Sequence, residues 1–152
     1  MKFATETLEQ VRGELQPLLE SHWREIAHYQ DIPLDPDWEF YESMQDIGRL
    51  RFYTARDNGR LVGYCVFFVA PNRHYMSSLQ ASQDILFLHP EYRNAGNGRA
   101  LVLYCDAQLR EEGVQAVYQH VKSAHDFGPL LLNCGYELVD LIYAKRLDNG
   151  CE

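Results

Sequence analysis

Seven consecutive residues, Arg93-Asn94-Ala95-Gly96-Asn97-Gly98-Arg99, carry the clearest chemistry in the chain. They follow the apolar run Ile85-Leu86-Phe87-Leu88, which His89-Pro90 closes, and they precede a run in which Leu101, Tyr104, Cys105 and Leu109 repeat at helical spacing. Glycines let successive backbone N–H groups approach an anion with no Cβ in the way, and a helix that starts there adds unpaired donors and a partial positive charge. A phosphate suits that geometry. Arg93 and Arg99 flank the loop and are placed to add charge-assisted bonds to a diphosphate. A Gly-x-Gly ahead of a helix can also be no more than a tight turn, so its neighbours matter. The Gly-Lys-Ser/Thr ending of a Walker loop is missing, as are the third glycine and early βαβ position of a dinucleotide fingerprint.

Such a loop must be held by a strand before it and a helix after it. Leu79 to Leu88 reads as that strand, alternating at first and continuously apolar at its end, and the helix starts at about Gly98 and stops at Gly113. Upstream, Met1 to Thr5 suits an edge strand. Thr7 and Gln10 form a capping-box pair that starts a helix carrying Leu8, Val11, Leu15, Leu18, Leu19, Trp23 and Ile26 on one stripe, with Pro17 expected to kink or split it. Asp31 to Asp37 reads as a loop, and a short helix follows through Trp38, Tyr41 and Met44 to near Gly48. Leu50 to Arg56 and Arg60 to Val69 flank Asn58-Gly59, the dipeptide best suited to a two-residue hairpin turn. The second of these strands is apolar nearly throughout from Val62 on, which places it at the sheet centre. Pro71 to Ser78 is a polar loop. Beyond Gly113 the expectation is a strand over Val114 to Val121, a short helix over Leu130 to Asn133, a turn at Gly135 and a last strand from Tyr136 to Leu147. The order describes a mixed α/β (α+β) sheet covered by helices, in one domain spanning 1–152.

Composition narrows the function class. With 152 residues and 46% hydrophobic content, the chain can bury one core without staples. No run nears the roughly 18 apolar residues of a membrane span, and the first residues lack a signal-peptide pattern, so a soluble cytoplasmic protein is expected, with no membrane partner. Cys65, Cys105, Cys134 and Cys151 form no C-x-x-C pair, and neither a disulfide framework nor a metal site is expected. The formal net charge of -8 works against nucleic-acid binding. It suits a cationic substrate, or simply solubility.

The segment Pro90-Glu91-Tyr92-Arg93 followed by Gly96 and Gly98 resembles the signature of the GNAT superfamily of acyl-CoA-dependent N-acyltransferases, Arg/Gln-x-x-Gly-x-Gly/Ala after a strand. The helical N-terminal part, the hairpin at Asn58-Gly59 and the turn Cys134-Gly135-Tyr136-Glu137-Leu138 fall in the same order as in that family. The pattern is also similar to acetyltransferases encoded in phages and prophages. The resemblance implies a mostly antiparallel central sheet with helices on both faces and a V-shaped splay between the fourth and fifth strands. It also implies acetyl-CoA as co-substrate, its diphosphate on the N–H groups of Asn94, Ala95, Gly96, Asn97, Gly98 and Arg99, and its pantetheine beside Leu86, Phe87 and Leu88. Backbone groups of Leu86 and Leu88 would pair with the pantetheine amides and polarise the acetyl carbonyl.

Direct transfer to an amine then needs a base and a proton for the departing thiolate. Asp84 is the first candidate base, sharing a face with Leu86 and Leu88 by alternation. His120, near the end of the following strand, is the second. Both could equally be structural. His125 with Asp126 could contact the cofactor or cap a helix. The tyrosine that often serves as acid four residues before the glycine of the final turn is replaced here by Leu131, and the family's asparagine beyond the fifth strand falls near Ala124. For the acceptor, His28, Tyr29, Asp31, Asp35, Asp37 and Trp38, then Arg73, His74 and Tyr75, could hold a cationic amine by charge and ring contacts, or be ordinary solvated loops. The resulting expectation is acetyl transfer to a primary amine of a small molecule or protein, with the acceptor unknown and a homodimer left open. The alternative is a non-catalytic acyl-CoA-binding or protein-interaction module on the same fold.

Overall fold

The sheet grows outward from one hairpin. Asn58 and Gly59 take φ values of 48° and 84°, both left-handed as the tight turn requires, and they join β2 (Leu50–Asp57) to β3 (Arg60–Pro71). In this computed structural model, which describes residues 1–148, β1 (Lys2–Glu6) pairs antiparallel with β2, and β4 (Leu79–Leu88) pairs antiparallel with β3. β5 (Ala116–Tyr118) adds a parallel strand outside β4, so the spatial order is β1-β2-β3-β4-β5. The sheet is mixed and mostly antiparallel, as expected. Cys151 lies outside the described residues.

Strand alternation sends the apolar residues to two faces, and helices cover both. Tyr53, Ala55, Cys65, Phe67 and Val69 form a buried cluster with Leu101, Cys105 and Leu109 of α3 (Asn97–Glu111). Phe52, Tyr64, Val66 and Phe87 form the opposite cluster with Leu8, Val11, Leu15 and Leu19 of α1 (Leu8–Ile26), against which Trp38, Tyr41 and Met44 of α2 (Trp38–Asp46) pack. β3 is therefore central and covered on both sides. At Gly63 the approach of β4 is so close that a Cβ would stand 2.8 Å from Leu88 Cδ1 and 2.9 Å from the Phe87 carbonyl oxygen.

Three expectations change. The capping box at Thr7 and Gln10 is present, but Pro17 does not split α1. Pro17 and Gly13 lie on the exposed face, where water can satisfy the carbonyl left without a donor. The strand expected over Val114 to Val121 is reduced to Ala116–Tyr118, because the ladder to β4 holds for three residue pairs and then ends. The last strand, expected over Tyr136 to Leu147, is absent: the segment has apolar side chains but no ladder partner, and Leu138, Ile142, Tyr143 and Leu147 are exposed. Its ends are fixed instead by side chains. Tyr136 donates from its hydroxyl to Asp106 Oδ1 at 2.5 Å, while Arg146 bonds both oxygens of Asp31 and lies over the Tyr29 ring at 5.0 Å. The short helix near the end is α4 (Gly128–Asn133).

Candidate active site

β4 and β5 part company at one point. Gln80, Ala81 and Ser82 pair with Ala116, Val117 and Tyr118, whereas β4 runs on to Leu88 with no strand on that side. The opening is a groove of about 470 Å³ whose walls include Asp84 to Leu88 of β4, His22 and Glu25 of α1, and His120, His125 and Leu130 on the far side, with Gly98 at its foot. Antiparallel strands alternate between residues that bond their neighbour and residues that face away. His89 donates its N–H to the Val62 carbonyl, so Leu86 and Leu88 turn their backbone groups toward the opening. That is the edge on which the resemblance put the pantetheine. The Leu88 carbonyl, however, already accepts from Arg93 Nε at 2.8 Å.

The foot of the groove is a turn built from two left-handed residues, Ala95 (φ 62°) and Gly96 (φ 79°), leading into α3. The first backbone bond between the helix and the loop runs from the Ala100 N–H of α3 to the Gly96 carbonyl. Among the described residues, no protein acceptor takes the N–H groups of Asn94, Ala95, Gly96, Asn97, Gly98 or Arg99. Six consecutive donors without partners, at a helix start, make a cradle for an anion, and a diphosphate fits it in charge and in bonding capacity. The Asn97 side chain braces the turn by donating to the Tyr92 and Asn94 carbonyls.

The flanking arginines are placed differently from the sequence expectation. Arg93 is bound within the protein: Nη2 donates to Glu25 Oε2 at 2.7 Å, and Nη1 stands 2.6 Å from Oε1. His125 Nε2 is also 2.6 Å from that Oε1, and neither contact there has the alignment of a hydrogen bond. The Arg93 bond holds the Glu25 carboxyl below its ordinary range, against the opposing effect of burial. Arg99 donates from Nε to Asn133 Oδ1 at 2.9 Å, tying α3 to α4. Beside Glu25, His22 is buried against Phe87 with its Nδ1 3.2 Å from the Tyr64 hydroxyl, and burial pushes its pKa down to about 4.

Asp84 and His120 both line the groove, on opposite sides of the split. Tyr41 of α2 donates to Asp84 Oδ2 at 2.7 Å; burial raises the Asp84 pKa, while this bond and the nearby His120 lower it. His120 has its Nε2 3.0 Å from Ser82 Oγ, and its backbone N–H donates to Gln83 Oε1 at 2.6 Å. Leu131 is buried and offers no acid. The acids and rings upstream of α2 do not form a cage for a cation: Asp31 and Tyr29 hold Arg146, Asp37 caps the Phe40 N–H, and Arg12 covers Trp38. Sequence reasoning missed Glu25, His22 and Tyr41, whose helical spacing reads as ordinary stripe or solvent positions. It named Ala95 as a donor but not as a left-handed position, since no glycine there announces the turn.

A split sheet with a turn of unpartnered N–H groups at the foot of the split makes an α/β domain suited to holding an acyl donor. The model of the Acetyltransferase (GNAT) family matches residues 15–128, and the chain belongs to that family. It is therefore an acyltransferase, as the resemblance implied. No curated protein sequence matches the chain. Solved structures agree on the fold. Ribosomal-protein-alanine N-acetyltransferase from Brucella melitensis biovar Abortus 2308 is 20% identical with a TM-score of 0.72, the alignment covering 97% of this chain and 100% of that one. Glucosamine-6-phosphate N-acetyltransferase from Arabidopsis thaliana is 11% identical at 0.72, covering 97% and 98%. A predicted acetyltransferase with acetyl-CoA from Clostridium acetobutylicum is 10% identical at 0.70, covering 96% of each chain. Among the described residues, no group of His, Cys, Asp and Glu is placed to hold a metal, and no helix is long and apolar enough to cross a membrane.

Proposed function

We propose that this chain, as one domain over 1–152, transfers an acetyl group from acetyl-CoA to a primary amine of a small molecule or protein by direct attack. The observation that carries the reading is the row of six unpartnered N–H groups from Asn94 to Arg99 at the foot of the split. These donors would hold the diphosphate, and Leu86 and Leu88 would line the pantetheine. Arg93 would act from behind, fixing the turn through Glu25. The acetyl carbonyl would then lie near the upper part of β4, where a backbone N–H on the open edge can stabilise the oxygen as charge develops on it.

Asp84 is the base in this reading. An amine arrives mostly as ammonium, and a carboxylate made more basic by burial takes its proton more readily than an ordinary one. The nitrogen then attacks the carbonyl carbon, the C–N bond forms, the C–S bond breaks with its electron pair leaving on sulfur, and the nitrogen's surplus proton passes to that thiolate. His120 is the second candidate for the proton transfer. Asp84→Asn and His120→Ala should lower turnover more than binding, and unchanged turnover in both would remove them from the mechanism.

The test of the whole reading is calorimetry with acetyl-CoA. Wild-type protein should bind it, and Gly96→Glu should not, because a carboxylate in the turn repels phosphate. Absence of binding by folded wild-type protein would overturn the proposal. One observation favours a non-catalytic acyl-CoA-binding or protein-interaction module: buried Leu131 stands where the family often has its acid. Tight binding with no thiol release across polyamines, aminoglycosides, amino acids and peptides would decide for that module. Cytoplasmic location, no nucleic-acid or membrane partner, a homodimer as an open state, and kinship with phage- and prophage-encoded members complete the reading and rest on the sequence.

A further inference from the structure

The proton-handling carboxylate in the groove is gripped by a residue that lies outside the groove. Asp84 leaves β4 beyond the last pair with β5, so no strand side chain flanks it on that edge. Its Oδ2 accepts from the Tyr41 hydroxyl at 2.7 Å, and among the described residues no bond reaches Oδ1. Tyr41 is itself fixed. Its ring stacks on Phe68 of β3, with centroids 5.9 Å apart and planes 26° apart, and Phe40 meets both rings. A planar carboxylate held at one oxygen by a locked phenol has its other oxygen aimed by the same bond.

From this geometry we infer that Tyr41 is a positioning residue for the acyl-transfer site, holding Asp84 by Oδ2 so that Oδ1 is presented to the incoming amine. The inference rests on the reading of Asp84 as the base. It makes α2, which contributes nothing to the cofactor cradle, a working part of the acceptor side. Tyr41 also sets how basic Asp84 is. Burial alone favours the neutral acid, which could not accept a proton; a hydroxyl donating to the charged form opposes burial and favours the ionised carboxylate. The other group acting on Asp84 is His120, across the split, and it works in the same direction. On the Tyr41 side the neighbouring charges are Asp84 and Asp37, and both make the phenol harder to ionise.

Because the two groups share one hydrogen bond, each must shift the other's titration. The first measurement is carbon-detected NMR titration of the Asp84 carboxyl in wild-type protein and in Tyr41→Phe, with Asp84→Asn used to assign the signal. Phenylalanine keeps the ring packing and removes only the donor. The Asp84 titration should move to higher pH in Tyr41→Phe, and the acidic limb of kcat/KM for thiol release should move the same way while KM for acetyl-CoA stays unchanged. A second measurement does not depend on that variant: in Asp84→Asn, the Tyr41 ring-carbon signal should show ionisation at lower pH than in wild type. An Asp84 titration unmoved or lowered in folded Tyr41→Phe overturns the inference, as does a Tyr41 ionisation indifferent to Asp84→Asn. The NMR readouts need no turnover. Coupled titrations in a protein that acetylates nothing would refute the proposed activity and leave the Tyr41 bond standing; uncoupled titrations in an active enzyme would do the reverse.

Discussion

Arg93 Nη2 donates to Glu25 Oε2 at 2.7 Å, joining the first residue of the glycine turn to the end of α1. With its Nε on the Leu88 carbonyl, the same guanidinium clamps three segments: the end of β4, the turn and the helix across the groove. An arginine in this position therefore shapes the cradle from behind.

Removing the acid should expose that role. Glu25→Gln is expected to destabilise the fold by about 1 kcal/mol, a charge-assisted bond discounted for partial exposure. Its pH dependence has a definite sign. The Glu25 pKa is lowered by the Arg93 bond, so the pair contributes fully above the ordinary carboxyl value of 4.5, and the contribution is lost as pH falls through the lower folded-state value. Urea unfolding followed from neutral pH to below that range should show wild type and variant converging in acid.

His22 acts in the same direction, over a higher pH range. Burial lowers its pKa from 6.5 to about 4, so the unfolded chain takes up a proton that the folded one refuses in that window. Stability should fall by up to about 3 kcal/mol as pH drops from 6.5 to about 4 and level off below it. His22→Gln should flatten the slope. Thermal unfolding across the window checks it, and an equal slope in both proteins would show that His22 is not its source.

Ala95 occupies a left-handed backbone position at φ 62° with a Cβ. Ala95→Gly should relieve that strain and stabilise the protein by roughly 0.5–1 kcal/mol. Acetyl-CoA affinity should be retained, because the donors are backbone N–H groups. Paired denaturation and calorimetry test both halves.

At Gly63 the expectation is reversed. Gly63→Ala forces a methyl group into Leu88 and the Phe87 carbonyl, which must move. A loss of about 1–3 kcal/mol in unfolding free energy is expected. Weakened acetyl-CoA binding should accompany it, since the displaced strand end borders the groove.

The sequence alone determined the elements whose signals are local. Asn58-Gly59 can make a two-residue turn with both residues left-handed, and Thr7 with Gln10 can satisfy a helix start, whatever surrounds them. The glycine turn before α3 was legible for the same reason: its donors belong to the backbone, and neighbouring residues suffice to leave them unpaired. Tertiary structure decided what depends on distant partners. Tyr136 to Leu147 has the composition of a strand, but a strand exists only against an edge, and the open edge of β5 is only three residues long. Arg93 looked like a phosphate ligand because Glu25, 68 residues away, is invisible to spacing. Alternation put Asp84 on the face of Leu86 and Leu88, but the irregular register opposite Val66 and Phe67 turns it to the α2 face, where it meets Tyr41, 43 residues earlier. Burial, charge pairing and the aim of a carboxylate are set by groups brought together from afar, and folding alone brings them together.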